Sequence, residues 1–319
     1  MPEQTPPLLP VLPYSLIVGQ RSLKLALELA YIAPRLGGVL LSGHRGTGKS
    51  TAVRSFAQMV YQGQLPVTLP INVTEDRVVG GWDIHQLMQS KDQWKDGLLL
   101  EAKNKLLYVD EINLLDDHIV NILLDVTATG KLVVARDSKS ETYDVPFTLV
   151  GTMNPEEGGL RPQLFDRFGL MVTVKTEKNS DDRLQILKNV LTFETESDRD
   201  PTGKSSEFLK AANAENEQHR SNLEAARERC RSVKTDAILP LCVELATKFE
   251  VEGNRGERVL AMAAQAYAAR EKQTQATPEH LYEVASLALQ HRRPAMSQSG
   301  DVDWGEREDG KVKAILGLE

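Results

Sequence analysis

Residues Gly43-His44-Arg45-Gly46-Thr47-Gly48-Lys49-Ser50 fit the pattern G-x-x-x-x-G-K-[ST], and they stand between an apolar run, Val39 to Leu41, and a helical one, Thr51 to Val60. A buried strand, a glycine-rich turn and a helix in that order leave several backbone N–H groups pointing from a helix N-terminus at whatever lies in front of it. That arrangement is an anion site with the geometry of a triphosphate. Lys49 is placed to meet the β and γ phosphates, and the Ser50 hydroxyl to meet the Mg²⁺ that accompanies them. The chain is therefore expected to bind ATP or a related nucleotide with Mg²⁺.

Few folds accept such a turn, and the remaining pattern agrees with one of them. Short β-type runs (39–41, 70–73, 106–109, 147–152 and 171–174) alternate with helical stretches, which argues for a mostly parallel sheet covered by helices. Between the third and fourth runs, residues 131–143 read as an inserted β-hairpin. The run Leu106-Leu107-Tyr108-Val109 ends in Asp110 and Glu111, an apolar strand delivering two acids. Behind a phosphate loop, the first suits a Mg²⁺ shell and the second the polarisation of an attacking water. The run ending at Met153 delivers Asn154-Pro155, a polar amide followed by a helix-stopping residue. Further on, Asp166-Arg167 leaves two readings open. Arg167 either reaches a neighbouring subunit's γ phosphate or forms a surface pair with Asp166.

After Asn179 only helical patterns remain, beginning with Ser180 as N-cap and Asp181 and Asp182 in the first turn. A second, all-helical domain is expected from 179 to 294. Within it, 204–231 is dense in charge and reads as a long solvated helix or helix pair. Thr277-Pro278-Glu279 marks the start of a closing helix. Residues 1–13 form a proline-rich lead, and residues 295–319 are expected to be a loosely held polar tail, with Trp304 as a possible anchor.

Composition narrows the partners. A formal charge of −7 gives no basic field for a phosphate backbone, which disfavours nucleic acid as the main partner. No apolar run approaches spanning length and no signal-peptide pattern opens the chain. Cys230 and Cys242 lack metal-ligand spacing and read as reduced thiols, so a cytoplasmic or equivalent reducing compartment is expected. His85, His118, His219 and His280 are scattered singly, as structural or solvated histidines are.

Taken in order, Ile17-Val18-Gly19-Gln20, the loop 43–51, Thr74 to Gly80, Gly97 to Ala102, Val109 to His118 and Asn154 to Gly169 resemble the AAA+ ATPase module of magnesium chelatase. The likeness extends to its I subunit and to the N-terminal half of its D subunit. It continues into the helical region, where Asn254-Arg255-Gly256-Glu257 is similar to the family's second sensor and His291-Arg292-Arg293-Pro294 to its closing motif. The resemblance implies an α/β P-loop fold, a parallel-sheet core over 14–178 with an all-helical lid, and a ring, a hexamer, with ATP between subunits. It implies that Gly43, Arg45, Gly46, Thr47, Gly48, Lys49, Ser50 and Thr51 bind nucleotide and that Ser50 and Asp110 serve Mg²⁺. In the same terms Glu111 is catalytic, Asn154 is the first sensor, Arg167 a finger acting in trans and Arg255 the second sensor, while Ile17 and Val18 line the adenine pocket. Residues 76–96 match the helix-two insertion of this clade and 131–143 its pre-sensor hairpin.

The resemblance carries expectations about partners too. They are further copies of the chain, a chelatase D-like or von Willebrand A domain protein, and a large porphyrin-binding subunit. Three departures stand out. His44 occupies a position where the family usually has an acid, the segment 61–72 is shorter than in typical I subunits, and no von Willebrand A domain follows. On the last ground a complete D subunit is not expected. The expected activity is ATP hydrolysis that drives metal insertion into a tetrapyrrole through a separate subunit. A MoxR-like chaperone or remodelling ATPase is the alternative.

Overall fold

A computed structural model describes residues 10–82, 94–136, 139–200, 205–251, 253–294 and 304–318. Its centre is a five-stranded, all-parallel sheet in the order β2-β5-β8-β1-β9, with β1 Val39–Ser42, β2 Val67–Leu69, β5 Leu106–Val109, β8 Thr148–Met153 and β9 Leu170–Thr173. Strands of such a sheet are covered on both faces, and β1, β5 and β8 are buried throughout. The second strand lies three residues earlier than the run 70–73 suggested. Pro70 has no N–H for the ladder, and Pro70 to Val73 forms a turn closed by the Val73 N–H on the Pro70 carbonyl at 3.2 Å.

The period of two sorts the side chains to the two faces. Val39, Leu41, Leu106, Tyr108, Val150, Leu170 and Val172 enter one core, and Leu40, Leu107, Val109, Leu149 and Met171 the other. The second core is closed by α4 Leu98–Glu101, α5 Asp117–Thr129, α6 Pro162–Arg167 and the antiparallel hairpin β6 Lys131–Arg136 with β7 Lys139–Asp144, at the expected hairpin position. Its tip, with Asp137 and Ser138, lies outside the described residues. So do residues 83–93 of the expected helix-two insertion, and His85 with them. What is described there is α3 Glu75–Val79 and an antiparallel pair, β3 Gly80–Trp82 with β4 Trp94–Asp96.

The first core holds α1 Arg21–Ile32 and α2 Lys49–Val60 and runs without a break into the helices after residue 179. These are α7 Ser180–Arg199, which lends this core no apolar side chain, and α8 Glu207–Cys230, α9 Leu239–Lys248, α10 Arg255–Arg270 and α11 Pro278–Leu289, which all do. Charge-dense α8 is one helix, and it buries Leu209, Ala212, Leu223, Ala226 and Cys230 at successive spacings of three, eleven, three and four, which keep to one face. The expectation of a loosely held C-terminal tail is corrected. Residues 306–316 form a helix, α12, that buries Val312 and Leu316, and Trp304 stacks on Phe249 with ring centroids 5.1 Å apart. Among the described residues no helix is long and apolar enough to cross a membrane.

Candidate nucleotide site

In a parallel sheet the chain leaves every strand at the same edge, so loops that are distant in sequence meet there. The loop 43–48 leaves β1, Asp110 and Glu111 leave β5, and Asn154 leaves β8. These three strands are neighbours in the sheet. The loop itself demands glycine twice. Gly48, the N-cap of α2, sits at φ 81°, in the left-handed region, and a Cβ on Gly43 would come within 2.3 Å of the Val174 carbonyl oxygen.

Lys49 turns its ammonium back into the loop, donating to the carbonyls of Gly43 at 2.5 Å and His44 at 2.8 Å. Burial lowers its pKa from the ordinary lysine value, against the opposing pull of Asp110, Glu111 and Glu157. Ser50 and Asp110 are joined through Tyr108, whose hydroxyl lies 2.9 Å from Ser50 Oγ and 2.8 Å from Asp110 Oδ1. Burial pushes the Tyr108 phenol up to about 12, so it keeps its proton at neutral pH. Thr152 Oγ donates to the same Asp110 oxygen at 2.6 Å and accepts the Glu111 N–H at 3.2 Å. A hydroxyl and a carboxylate held this close form an oxygen donor set of the hard type that suits Mg²⁺.

Glu111 has φ 55°, an uncommon conformation for a side chain with Cβ and one that gathers at functional sites. Its Oε1 pairs with Arg45 Nη2 at 3.1 Å, and the same Arg45 nitrogen lies 2.7 Å from Glu157 Oε1. Glu157 in turn accepts from Asn154 Nδ2 at 3.1 Å, which closes a chain from phosphate loop to acid to amide. Asn154 is 5% exposed and also caps the turn Pro155–Glu157. His44 stands outside this chain in an exposed pair with Glu156 at 3.5 Å. Ile17 and Val18 are half-buried beside this end of the sheet, where Gln20 Nε2 donates to the Lys175 carbonyl at 3.2 Å.

Arg167 and Arg255 belong to a different group. Arg167 donates to Asn121 Oδ1 and Asp125 Oδ1 of α5, so the alternative pairing with Asp166 is not what the structure shows. Asp166 instead accepts from Arg255 Nη1 at 3.2 Å and forms an ion pair with Arg292, whose Nε lies 3.3 Å away. Arg292 is almost fully buried and binds the carbonyls of Asp166, Phe168, Gly169 and Ala288 as well. Burial pushes its pKa down to about 10, with Asp166 acting against the fall.

The expected site thus divides. Lys49, Ser50, Asp110, Glu111, Arg45 and Asn154 come together, while Arg167 and Arg255 lie around the C-terminal end of α6. Tyr108, Thr152 and Glu157 were not singled out in the sequence. For Tyr108 a signal was present, since residues i and i+2 of a strand share a face and Tyr108 therefore lies on the side of Asp110.

A sequence profile described as the AAA domain, dynein-related subfamily, matches residues 38–168, and one described as an AAA lid domain matches 240–311. The magnesium-chelatase 38 kDa subunit of Chlorobaculum tepidum is 38% identical over 96% of this chain and 86% of its own length. That of Cereibacter sphaeroides is 38% identical over 92% of this chain and 96% of its own length. Rv2850c of Mycobacterium tuberculosis is 41% identical over 88% of this chain and 44% of its own length. Among solved structures, a cryo-EM-based model of the complex between subunits BchI and BchD of magnesium chelatase contains a chain with TM-score 0.51 and 35% identity, covering 95% of this chain and all of that one.

Proposed function

Because the chain belongs to the AAA+ ATPases of the magnesium-chelatase I-subunit type, we propose that it is the ATP-hydrolysing motor of a metal chelatase, working on a tetrapyrrole held by a separate subunit. The observation that carries the site assignment is the meeting of the phosphate loop, the acid pair and Asn154 at one edge of three neighbouring strands. Lys49 leaves its loop carbonyls for the β and γ phosphates, which restore the ammonium's compensation. Ser50 and Asp110 hold Mg²⁺, which when bound polarises the phosphate oxygens. Glu111 accepts the proton of the attacking water, and Asn154 orients the γ phosphate and that water. Arg167 completes the site of a neighbouring copy in a ring, and a D-type subunit is the partner that receives the conformational change.

The division of labour between charge neutralisation and water activation sets the test. Lys49→Ala is expected to abolish ATP binding, and Glu111→Gln to retain it while turnover stops. Nucleotide affinity and phosphate release are measured on both proteins. A Glu111→Gln protein that hydrolyses at the wild-type rate overturns the catalytic assignment.

A further inference from the structure

Resting on the Mg²⁺ assignment of Ser50 and Asp110, we infer that Tyr108 is the positioning residue of the cation site, setting the direction of both ligands through one phenolic hydroxyl. The ring is fully buried on the α2 side of β5, so the hydroxyl has a fixed location. It lies 2.9 Å from Ser50 Oγ and 2.8 Å from Asp110 Oδ1.

A phenol carries a single proton, and a carboxylate has none to give. The Tyr108 hydroxyl is placed to donate to Ser50 Oγ or to Asp110 Oδ1, one at a time, so a single proton is shared between the two ligands. A serine oxygen that accepts from this fixed hydroxyl is held in place and keeps its second lone pair for a cation. Asp110 Oδ1 already receives Tyr108 and, at 2.6 Å, Thr152. With that oxygen taken by two donors, the second carboxylate oxygen is left to serve the ion or its water. Asp110 is itself exposed at the strand end, so it faces the side from which nucleotide arrives.

One hydroxyl thereby orders two ligands from different elements, the helix that opens the phosphate loop and the strand that ends in the acid pair. Partners that fix the orientation of metal ligands usually change metal affinity by about 10- to 100-fold when removed. Tyr108→Phe deletes only the hydroxyl and keeps the buried ring. The Mg²⁺ concentration needed to support binding of a fluorescent, non-hydrolysable ATP analogue should rise by about 10-fold or more. Binding of the same analogue in EDTA should change by less than about twofold, since the phosphate loop is untouched.

The decisive readout is a double-mutant cycle on Mg²⁺ dependence, with circular dichroism melting confirming that each protein is folded. Tyr108→Phe should lose part of its effect in a Ser50→Ala background and part in an Asp110→Asn background, because in each one of the two groups it directs is gone. A Tyr108→Phe titration that superimposes on wild type overturns the inference. Effects of the two substitutions that simply multiply also overturn it, since they would reflect packing rather than direction of the ligand. If neither Ser50→Ala nor Asp110→Asn moves the Mg²⁺ dependence, the cation-site reading itself falls, which is a different failure from that of Tyr108 alone.

Discussion

Glu28 shows what a single carboxylate can do away from the nucleotide. It is 2% exposed on α1, yet it receives Arg270 Nε at 2.6 Å, His219 Nε2 at 2.8 Å and the Tyr14 hydroxyl at 3.2 Å. Burial alone would raise its pKa. The hydrogen bonds and charges of His219 and Arg270 outweigh that, and the net shift is downward from the ordinary glutamate value. A depressed carboxylate pKa stabilises the fold above the unfolded-state pKa, and that stability is lost as pH falls through the lower, folded-state value. Glu28→Gln should therefore cost about 2 kcal/mol at neutral pH, the scale of hydrogen bonds to a charged group. The difference from wild type should shrink as pH falls below the usual carboxylate range. Urea melts at pH 7 and pH 3 measure both, and a pH-independent difference would remove the electrostatic account. Sequence reading treated His219 as a lone structural or solvated histidine. Its partner lies 191 positions away, beyond the reach of any local pattern.

At the scale of elements, patterns confined to one segment were legible and those needing a partner were not. The strand, turn and helix around Lys49 follow from apolar runs and glycines, and the buried strands from their β-branched and aliphatic character. Thr277 was readable as an N-cap, although the reciprocal bond comes from His280, whose Nδ1 accepts the Thr277 N–H at 2.9 Å. The C-terminal helix was missed because its apolar positions, Val312, Ile315 and Leu316, are few among charges. It is held by contacts from other elements: Phe249 under the Trp304 ring, Arg293 over it at 5.1 Å, and Lys313 over Tyr282 at 5.6 Å. Trp304 also ties to the helix that follows it by donating its indole N–H to Asp309 at 2.7 Å. Trp304→Ala should release α12 at a cost of about 2 kcal/mol, less than for a fully buried aromatic because the ring is only partly covered. Limited proteolysis would then cut near residue 304 while nucleotide affinity stays within about twofold. Unchanged protease resistance would mean that Val312 and Leu316 hold the helix without the ring.

For the whole molecule the question is whether Arg167 acts on a neighbouring copy's nucleotide. Arg167 reaches Asn121 and Asp125 on its own chain. That leaves a finger acting in trans as a matter for mixed assemblies. Loss of such a finger is expected to lower turnover by about 10³- to 10⁵-fold with nucleotide binding nearly intact. Arg167→Ala and Lys49→Ala proteins should each be inactive alone. Mixed together, they create interfaces that pair an intact Lys49 loop with an intact Arg167, and hydrolysis should return. Native mass spectrometry confirms that the two proteins share assemblies. Mixed assemblies that stay inactive at every ratio would rule out a simple trans site.

Arg292 has a mechanical consequence that reaches further than its own contacts. Its guanidinium bolts the end of α11 to the backbone around Asp166 and Phe168, and the same apolar core runs from the sheet's helices into α8, α10 and α11. Arg292 and the shared core thus tie the sheet to the helices behind it, so a displacement started at the phosphate loop has a packed route into them.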